Sequence, residues 1–229
     1  FELGGKSPAL LLEDLDLAQA LRSLVAGAMS GSGQICAALS RVLVPRSRHD
    51  EIVEAIAGAY RKLTIGDPLD KDTDHGPLAN LQALRRTQDM VAAALAEGAQ
   101  IACGGQRPAT QPRGYYYEPT LLTGVSPADA IAQREVFGPV TAVLPYDDVD
   151  EAIAIANGTE YGLAASVYSA NRERALAVAR RIRAGSVALN TFGPTMAAPF
   201  GGVKRSGWGR ECGPEGILEF TSTKQVLLG

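Results

Sequence analysis

The sequence is poor in several residue types, and each shortage excludes a class of protein. Its 229 residues include only 3 cysteines, too few and too scattered for the disulfide framework of a small secreted domain. We therefore expect free thiols in a reducing compartment, with the cytoplasm as the location. The 2 histidines, His49 and His75, lie in polar stretches without another histidine or a cysteine at a metal-ligand spacing, so no metal site is expected.

Excess charge and long apolar runs are also lacking. The formal net charge is −3, which argues against nucleic-acid binding, because that function needs a basic surface. Apolar runs such as residues 9–12 are far shorter than the ~20 residues of a membrane helix, so no membrane partner is expected. The hydrophobic content of 46% and the charged content of 21% are ordinary for a globular protein.

Short apolar runs alternate with amphipathic stretches along the middle of the chain. This alternation predicts an α/β fold, with a mostly parallel open sheet covered by helices. In such sheets we expect functional residues at the carboxyl ends of the strands. The predicted strands are residues 9–12, 41–44, 99–103, 140–145, 164–168 and 186–189, and residues 115–122 are predicted to be extended, with Pro119 marking an edge. The predicted helices are residues 49–63, 80–97, 148–156 and 171–183, preceded by one that ends near residue 29 and is capped by Asp14 or Asp16.

The last part of the chain has a different composition. Residues 195–216 are rich in glycine, proline and charge, and we expect an ordered loop in which Phe200 and Trp208 are buried. Residues 218–228 are largely uncharged and predict a C-terminal extended strand that could pair with another chain. We divide the chain into a domain that carries the reactive thiol, residues 1–203, and a return segment with an oligomerisation strand, residues 204–229.

A glycine-rich loop leads into Cys36 between an amphipathic segment and a β-branched run. Structure on both sides would hold the thiol while leaving it accessible. The alternative is that Cys36 is a small buried hydrophobe, as free cysteines commonly are. The glycines at residues 31 and 33 lack the third glycine and the preceding strand of a dinucleotide fingerprint. A complete dinucleotide-binding fold is therefore not expected within this chain.

A carboxylate stands near the start of the chain, at Glu2. A cysteine nucleophile makes a thioester that water must cleave, and a nearby carboxylate can activate that water as a general base. The simpler interpretation of Glu2 is a solvated carboxylate with no chemical role.

Five motifs together resemble one family. Residues 2–8 (ELGGKSP) and 33–41 (GQICAALSR) resemble the two active-site signatures of the NAD(P)-dependent aldehyde dehydrogenases. Residues 135–140 (EVFGPV) resemble the family's cofactor-contacting turn, and residues 161–164 and 199–207 resemble later landmarks in the same order and spacing. Members of the family are considerably longer. We therefore expect this chain to be the C-terminal, catalytic portion of a longer polypeptide, without the N-terminal cofactor-binding domain.

The resemblance implies oxidation of an aldehyde to a carboxylic acid. Cys36 would attack the aldehyde carbon as a thiolate. The Cys36 backbone N–H, with an asparagine amide from the portion of the family that this chain lacks, would hold the oxyanion. Hydride transfer would leave a thioester, and Glu2 would activate the water that hydrolyses it.

The resemblance also implies a cofactor, NAD or NADP, and its ligands. Glu135 would hold the nicotinamide ribose hydroxyls, and Phe137 would pack against the cofactor. The backbone of Leu3 and Gly4 would lie near the carboxamide. The expected partners are a small-molecule aldehyde and further copies of the same chain, in a homodimer or homotetramer.

Two functions of other classes stay open at this point. Cys36 and Glu2 could act as a thiol esterase without any cofactor. The chain could also be a catalytically incomplete fragment that only associates through its final strand. Turnover with added NAD separates the first function from both, and labelling of Cys36 by an electrophile separates the esterase from the inert fragment.

Overall fold

The computed structural model describes residues 1–193 and 195–229 of the chain. Its strands are β1 (Pro8–Leu11), β2 (Arg41–Pro45), β3 (Gln100–Cys103), β4 (Thr120–Thr123), β5 (Val140–Tyr146), β6 (Ala164–Tyr168) and β7 (Ser186–Leu189). They form one sheet in the order β3-β4-β5-β2-β1-β6-β7. Hydrogen-bonded neighbours run parallel, apart from the antiparallel pair β3 and β4. The predicted mostly parallel open sheet is confirmed.

Helices connect the strands, as the alternating pattern predicts. They are α1 (Leu17–Met29), α2 (His49–Tyr60), α3 (Leu81–Ala96), α4 (Ala130–Gln133), α5 (Val149–Asn157), α6 (Arg172–Ala179) and α7 (Gly213–Leu218). The short helices α4 and α7 are not predicted by the periodicity, because so few residues carry no repeating apolar pattern.

Apolar side chains cover both faces of the sheet. Along β1, Ala9 and Leu11 pack with residues of α1 and α2, whereas Leu10 packs with residues of α3 and α5. Successive side chains of a strand point to opposite faces, so a strand buried on both faces is a continuous apolar run. This is why β1, β2 and β5 are readable as short apolar runs in the sequence.

The start of α1 is decided by hydrogen bonding. The Asp16 side chain accepts from the Gln19 backbone N–H at 3.2 Å, so Asp16 is the cap. Asp14 instead accepts from the Ser169 hydroxyl at 2.7 Å and from the Asn171 backbone N–H at 3.0 Å. It thereby ties the end of β1 to the end of β6.

The C-terminal segment differs from its prediction. Phe200 is buried, with 7% of its surface exposed, but Trp208 is 71% exposed, so the expected burial of Trp208 is wrong. Residues 213–218 form α7, and residues 221–229 have no regular secondary structure. The predicted final strand does not form within this single chain, and its pairing with a second chain stays a prediction.

Two further features bear on function. His75, although it lies in a polar stretch of the sequence, is buried, and its ring Nε2 hydrogen-bonds to the Tyr117 carbonyl oxygen at 3.0 Å. Across residues 1–193 and 195–229, none of the helices has the length and apolar character needed to cross a membrane.

Candidate active site

The segments that carry the candidate residues meet at the amino ends of the parallel strands. Residues 2–5 lead into β1, residues 31–40 into β2, and residues 135–139 into β5. Since these three strands are parallel and adjacent, their leading segments share one edge of the sheet. The expectation that the candidate residues lie at the carboxyl ends is therefore wrong.

The loop before Cys36 is held in a left-handed conformation. Gly31, Ser32 and Gly33 have φ angles of 57°, 58° and 71°, a region that residues other than glycine rarely adopt. A Cβ atom on Gly33 would clash with the carbonyl oxygen of Gly138, so only glycine fits there. The buried Ser32 hydroxyl donates to the Gly76 carbonyl oxygen at 2.9 Å, which fastens the loop.

The Cys36 thiol is half-buried rather than enclosed in the core. Burial raises the pKa of the Cys36 thiol above its usual range, and the carboxylates of Glu2 and Glu135 raise it further by charge repulsion. A raised pKa favours the protonated thiol. A thiolate is the nucleophilic form, so reaction at Cys36 needs a group that removes this proton.

The other two cysteines lie in different environments. Cys103 is buried, and its sulfur lies 3.7 Å from the Pro119 carbonyl oxygen. The Cys212 sulfur lies 3.7 Å from the sulfur of Met196. Cys36 differs from Cys103 in being only half-buried, and from both in lying on the loop that leads into β2 beside the other predicted site residues.

Glu2 belongs to a short antiparallel pairing between the two ends of the chain. The Leu3 backbone N–H donates to the Ser206 carbonyl oxygen at 2.9 Å, and the Trp208 N–H donates to the Phe1 carbonyl oxygen at 3.1 Å. The rings of Phe1 and Trp208 stack with their centroids 6.0 Å apart. This pairing places Glu2 at the same edge of the sheet as Cys36.

A second carboxyl group, Glu211, faces Glu2. Partial burial raises the pKa of the Glu2 carboxyl, and the charge of Glu211 and a hydrogen bond with it raise the pKa further. The Glu211 backbone is fixed by two hydrogen bonds with Phe200, at 2.7 and 2.8 Å. Sequence analysis missed Glu211, because nothing in the spacing pairs it with a residue at the other end of the chain.

Glu135 joins its turn to the segment before β1. Its Oε1 accepts a hydrogen bond from the Gly5 backbone N–H at 3.0 Å, and a Cβ atom on Gly4 would clash with the same carboxylate. Phe137 adopts a positive φ of 54°, and its ring is 37% exposed. A partly exposed carboxylate beside an exposed ring suits a ribose and its attached base, since carboxylate oxygens accept hydrogen bonds from hydroxyls.

Two buried basic side chains, those of Lys6 and Arg41, lie close together at the starts of β1 and β2. Lys6 is 2% exposed, and its Nζ has no hydrogen-bond partner among the residues that the structure describes. Burial lowers the pKa of Lys6 to about 7, and the charge of Arg41 lowers it as well, while Glu135 opposes both effects. Arg41 donates from Nε to the Lys6 carbonyl oxygen at 2.9 Å, which anchors β1 to β2.

The family can now be decided by comparison. The model of the aldehyde dehydrogenase family matches residues 1–226. This chain belongs to the aldehyde dehydrogenase family.

Its relatives within the family include curated enzymes. A geranial dehydrogenase of Castellaniella defragrans is 43% identical over 227 residues, which are 99% of this chain and 47% of the relative. A chloroplastic betaine aldehyde dehydrogenase of Atriplex hortensis is 41% identical over 226 residues, which are 98% of this chain and 45% of the relative. The chain thus spans about half the length of the relatives it matches.

Solved aldehyde dehydrogenases share its fold. A Mycobacterium tuberculosis aldehyde dehydrogenase complexed with NAD+ has a TM-score of 0.97 and 43% identity, covering 100% of this chain and 47% of the other. A Pseudomonas syringae aldehyde dehydrogenase variant in complex with NAD+ and octanal has a TM-score of 0.94 and 45% identity, covering 97% and 46%. The resemblance seen in the sequence and the α/β fold class are both confirmed.

The structure of this aldehyde dehydrogenase chain brings the predicted site residues to one edge of the sheet. They are Glu2, Leu3, Gly4, Cys36, Glu135 and Phe137. Their chemical roles stay predictions. Throughout the described part of the chain, no group of three or more histidine, cysteine, aspartate or glutamate residues could hold a metal ion.

Proposed function

We propose that the full-length protein oxidises an aldehyde to a carboxylic acid and transfers the hydride to NAD or NADP. The observation that carries the proposal is the convergence of a half-buried thiol, Cys36, with the carboxylates Glu2 and Glu135 from separate segments of an aldehyde dehydrogenase chain. Relatives named as geranial and betaine aldehyde dehydrogenases support an aldehyde substrate. Family structures that contain NAD+ support the cofactor class.

Acylation begins at the Cys36 thiol. Its raised pKa means that the thiol proton must pass to water or another base before the sulfur attacks the carbonyl carbon, and the negative charge of Glu2 opposes this ionisation more than that of Glu135. Attack forms the S–C bond and moves an electron pair onto the carbonyl oxygen. The Cys36 backbone N–H is the donor that this chain offers to the oxyanion.

The cofactor would be held by the edge of the sheet that bears Glu135. Glu135 would accept hydrogen bonds from ribose hydroxyls, Phe137 would pack against the cofactor, and the backbone of Leu3 and Gly4 would contact the carboxamide. A bound NAD or NADP would supply the hydride acceptor, so that the carbon attached to Cys36 would become the carbonyl carbon of a thioester. The Gly5 N–H donates to Oε1 of Glu135. This hydrogen bond fixes one oxygen of the carboxylate that would bind the ribose.

Deacylation would depend on Glu2. Glu2 takes a proton from water as the water oxygen attacks the thioester carbon, the C–S bond breaks, and the Cys36 sulfur leaves as a thiolate. The raised pKa of Glu2 makes it a stronger base than an ordinary carboxylate. The charge of Glu211 contributes to this raised pKa, and the proton taken up by Glu2 then passes to solvent.

The test is product stoichiometry in the full-length protein. With an aldehyde such as octanal and either cofactor, we expect one carboxylic acid for each reduced cofactor formed. Hydrolysis of activated esters together with no cofactor reduction would replace the proposal by the thiol esterase. If the folded protein shows neither activity, the remaining interpretation is a non-catalytic chain that only associates.

A further inference from the structure

We propose that Gln34 is a positioning residue for the reaction, acting with Arg86 through helix α3. Gln34 fixes the Cys36 loop to the segment that leads into α3, and Arg86 fixes the Glu135 turn to the same helix. Helix α3 then sets the spacing between the thiol and the residues that would hold the cofactor. The inference rests on the proposed function, and it names residues that the chemistry itself does not use.

The Gln34 side chain uses both ends of its amide. Its Nε2 donates to the Gly31 carbonyl oxygen at 3.1 Å and to the Pro77 carbonyl oxygen at 3.4 Å. Its Oε1 accepts from the Ala79 backbone N–H at 2.8 Å. Gln34 lies two residues before Cys36, so these bonds span from the nucleophile's own loop to a segment more than forty positions away.

The segment that receives Gln34 is continuous with α3. The Asn80 side chain caps the helix by accepting from the Ala83 backbone N–H at 2.9 Å. A capped first turn is a rigid attachment point, because the cap satisfies a backbone donor that the helix leaves free. The Ser32 hydroxyl bond to Gly76 adds a second fastening just before this segment.

Helix α3 holds the other side of the site through its second turn. Arg86 donates from Nε to the Val136 carbonyl oxygen at 2.9 Å, within the turn that carries Glu135 and Phe137. The Thr87 side chain packs so closely on Gly138 that an added Cβ atom there would lie 2.7 Å from its Oγ1. The turn is therefore set against the helix at two successive positions.

The loop and the turn also touch each other directly. Gly33 approaches Gly138 so closely that a Cβ atom on Gly33 would clash with its carbonyl oxygen. The three contacts, between loop and helix, helix and turn, and turn and loop, form a closed ring. Together they fix the relative positions of the three segments. A shift of about 1 Å in reacting atoms costs about 100-fold in rate, so loss of one fastening should appear in hydride transfer.

The experiment compares matched glutamine variants of the full-length protein. Gln34→Met keeps the side-chain length and removes both the donor and the acceptor. Gln133→Met is the control, because Gln133 also donates to two backbone carbonyl oxygens, those of Pro127 and Gly158, outside this ring. Single-turnover cofactor reduction, cofactor Kd and thermal stability are measured for each variant.

We expect Gln34→Met to slow hydride transfer by about 10–100-fold, with cofactor Kd within about twofold of wild type. Gln133→Met should leave the transfer rate unchanged even where it lowers the Tm. Arg86→Met should have the opposite effect. It should weaken cofactor binding, seen as a higher Kd, and decrease the rate of hydride transfer by a smaller factor. Gln34→Glu, which keeps the acceptor for the Ala79 N–H, should recover part of the transfer rate, and it replaces Gln34→Met if that variant does not fold.

An unchanged transfer rate in a folded Gln34 variant overturns the inference, as does an equal loss in Gln133→Met. Hydrogen exchange of residues 31–40 gives a readout that needs no activity. Faster exchange there in the Gln34 variant, but not in Gln133→Met, supports the fastening even if the wild-type protein reduces no cofactor. In that case the proposed function fails and the fastening stands, whereas unchanged exchange overturns the fastening.

Discussion

Gly5 donates its backbone N–H to Oε1 of Glu135 at 3.0 Å, across 130 positions of sequence. This bond joins the segment that carries Glu2 to the turn that carries Phe137. It is made where a side chain on the neighbouring Gly4 would clash with the same carboxylate. Gly4 leaves room for the Glu135 carboxylate, and a Cβ atom on Gly5 would clash with the Cys36 carbonyl oxygen, so both positions require glycine.

Gly4→Ala should displace the Glu135 carboxylate and weaken binding of the cofactor. We expect cofactor Kd in the full-length protein to rise about 10-fold, the equivalent of one hydrogen bond, with less effect on the aldehyde KM. Gly58→Ala on α2 is the control, because no atom lies within 4 Å of its added Cβ. It should stabilise the helix by about 0.5–1 kcal/mol and leave cofactor Kd unchanged. If Gly4→Ala leaves the cofactor Kd unaltered, Glu135 does not bind the cofactor.

Cys36→Ala should abolish aldehyde oxidation in the full-length protein, by about 10⁴-fold or more, since the nucleophile is lost. Cys103→Ala and Cys212→Ala should retain turnover, because neither thiol lies on the loop that carries Cys36 and leads into β2. Steady-state reduction of the cofactor measures all three variants. Substantial turnover in Cys36→Ala, or loss of turnover in a folded Cys212→Ala, would contradict the assignment of the nucleophile.

Glu2→Gln should spare acylation and slow hydrolysis of the thioester, because general-base assistance contributes about 10²–10⁴-fold. Rapid mixing should show a burst of reduced cofactor near one equivalent per active site, followed by a slow steady rate. A slow burst would instead show that the main role of Glu2 is to deprotonate Cys36. Burst and steady rates equal to wild type would exclude Glu2 from the mechanism.

Glu211→Gln should move the acid limb of the deacylation rate toward lower pH. Glu211 raises the pKa of Glu2 by like charge and by a hydrogen bond, so its removal lowers that pKa. Glu2 then stays ionised, and able to act as a base, to a lower pH. A pH profile of the steady rate, measured where deacylation limits turnover, checks the direction. A limb that stays in place or moves to higher pH would show that Glu211 does not act on the base.

Removing residues 221–229 should reduce the number of subunits in the oligomer of the full-length protein. Light scattering measures this as a lower oligomer mass. These residues lie beyond α7 and are exposed, and Leu228 is 93% exposed, as expected of a segment that pairs with another chain. Replacing Val226, Leu227 and Leu228 by serine tests the same contact at constant length and should have the same effect. An unchanged mass in both variants would place the interface elsewhere.

The sequence by itself determined the elements of the sheet and two of the chemical groups. Strands such as β5 and β6 are readable because burial on both faces makes each a short apolar run, a property of neighbouring residues. The helix caps at Asp148 and Asn171 are also local features. Each side chain accepts a hydrogen bond from a backbone N–H only three residues ahead. Cys36 and Glu2 are readable as candidates because each stands in a motif of contiguous residues.

Only the tertiary structure decided what these groups face. The Glu2 carboxyl meets Glu211, and the buried Lys6 lies behind Glu135, because distant segments meet at the amino ends of parallel strands, which no local pattern records. Trp208 stays exposed and residues 213–218 form a helix for a related reason. Glycine-rich loops have no periodicity, so their conformation depends on the contacts that surround them. The sequence identified the candidate groups, and packing across the sheet decided which residues surround them.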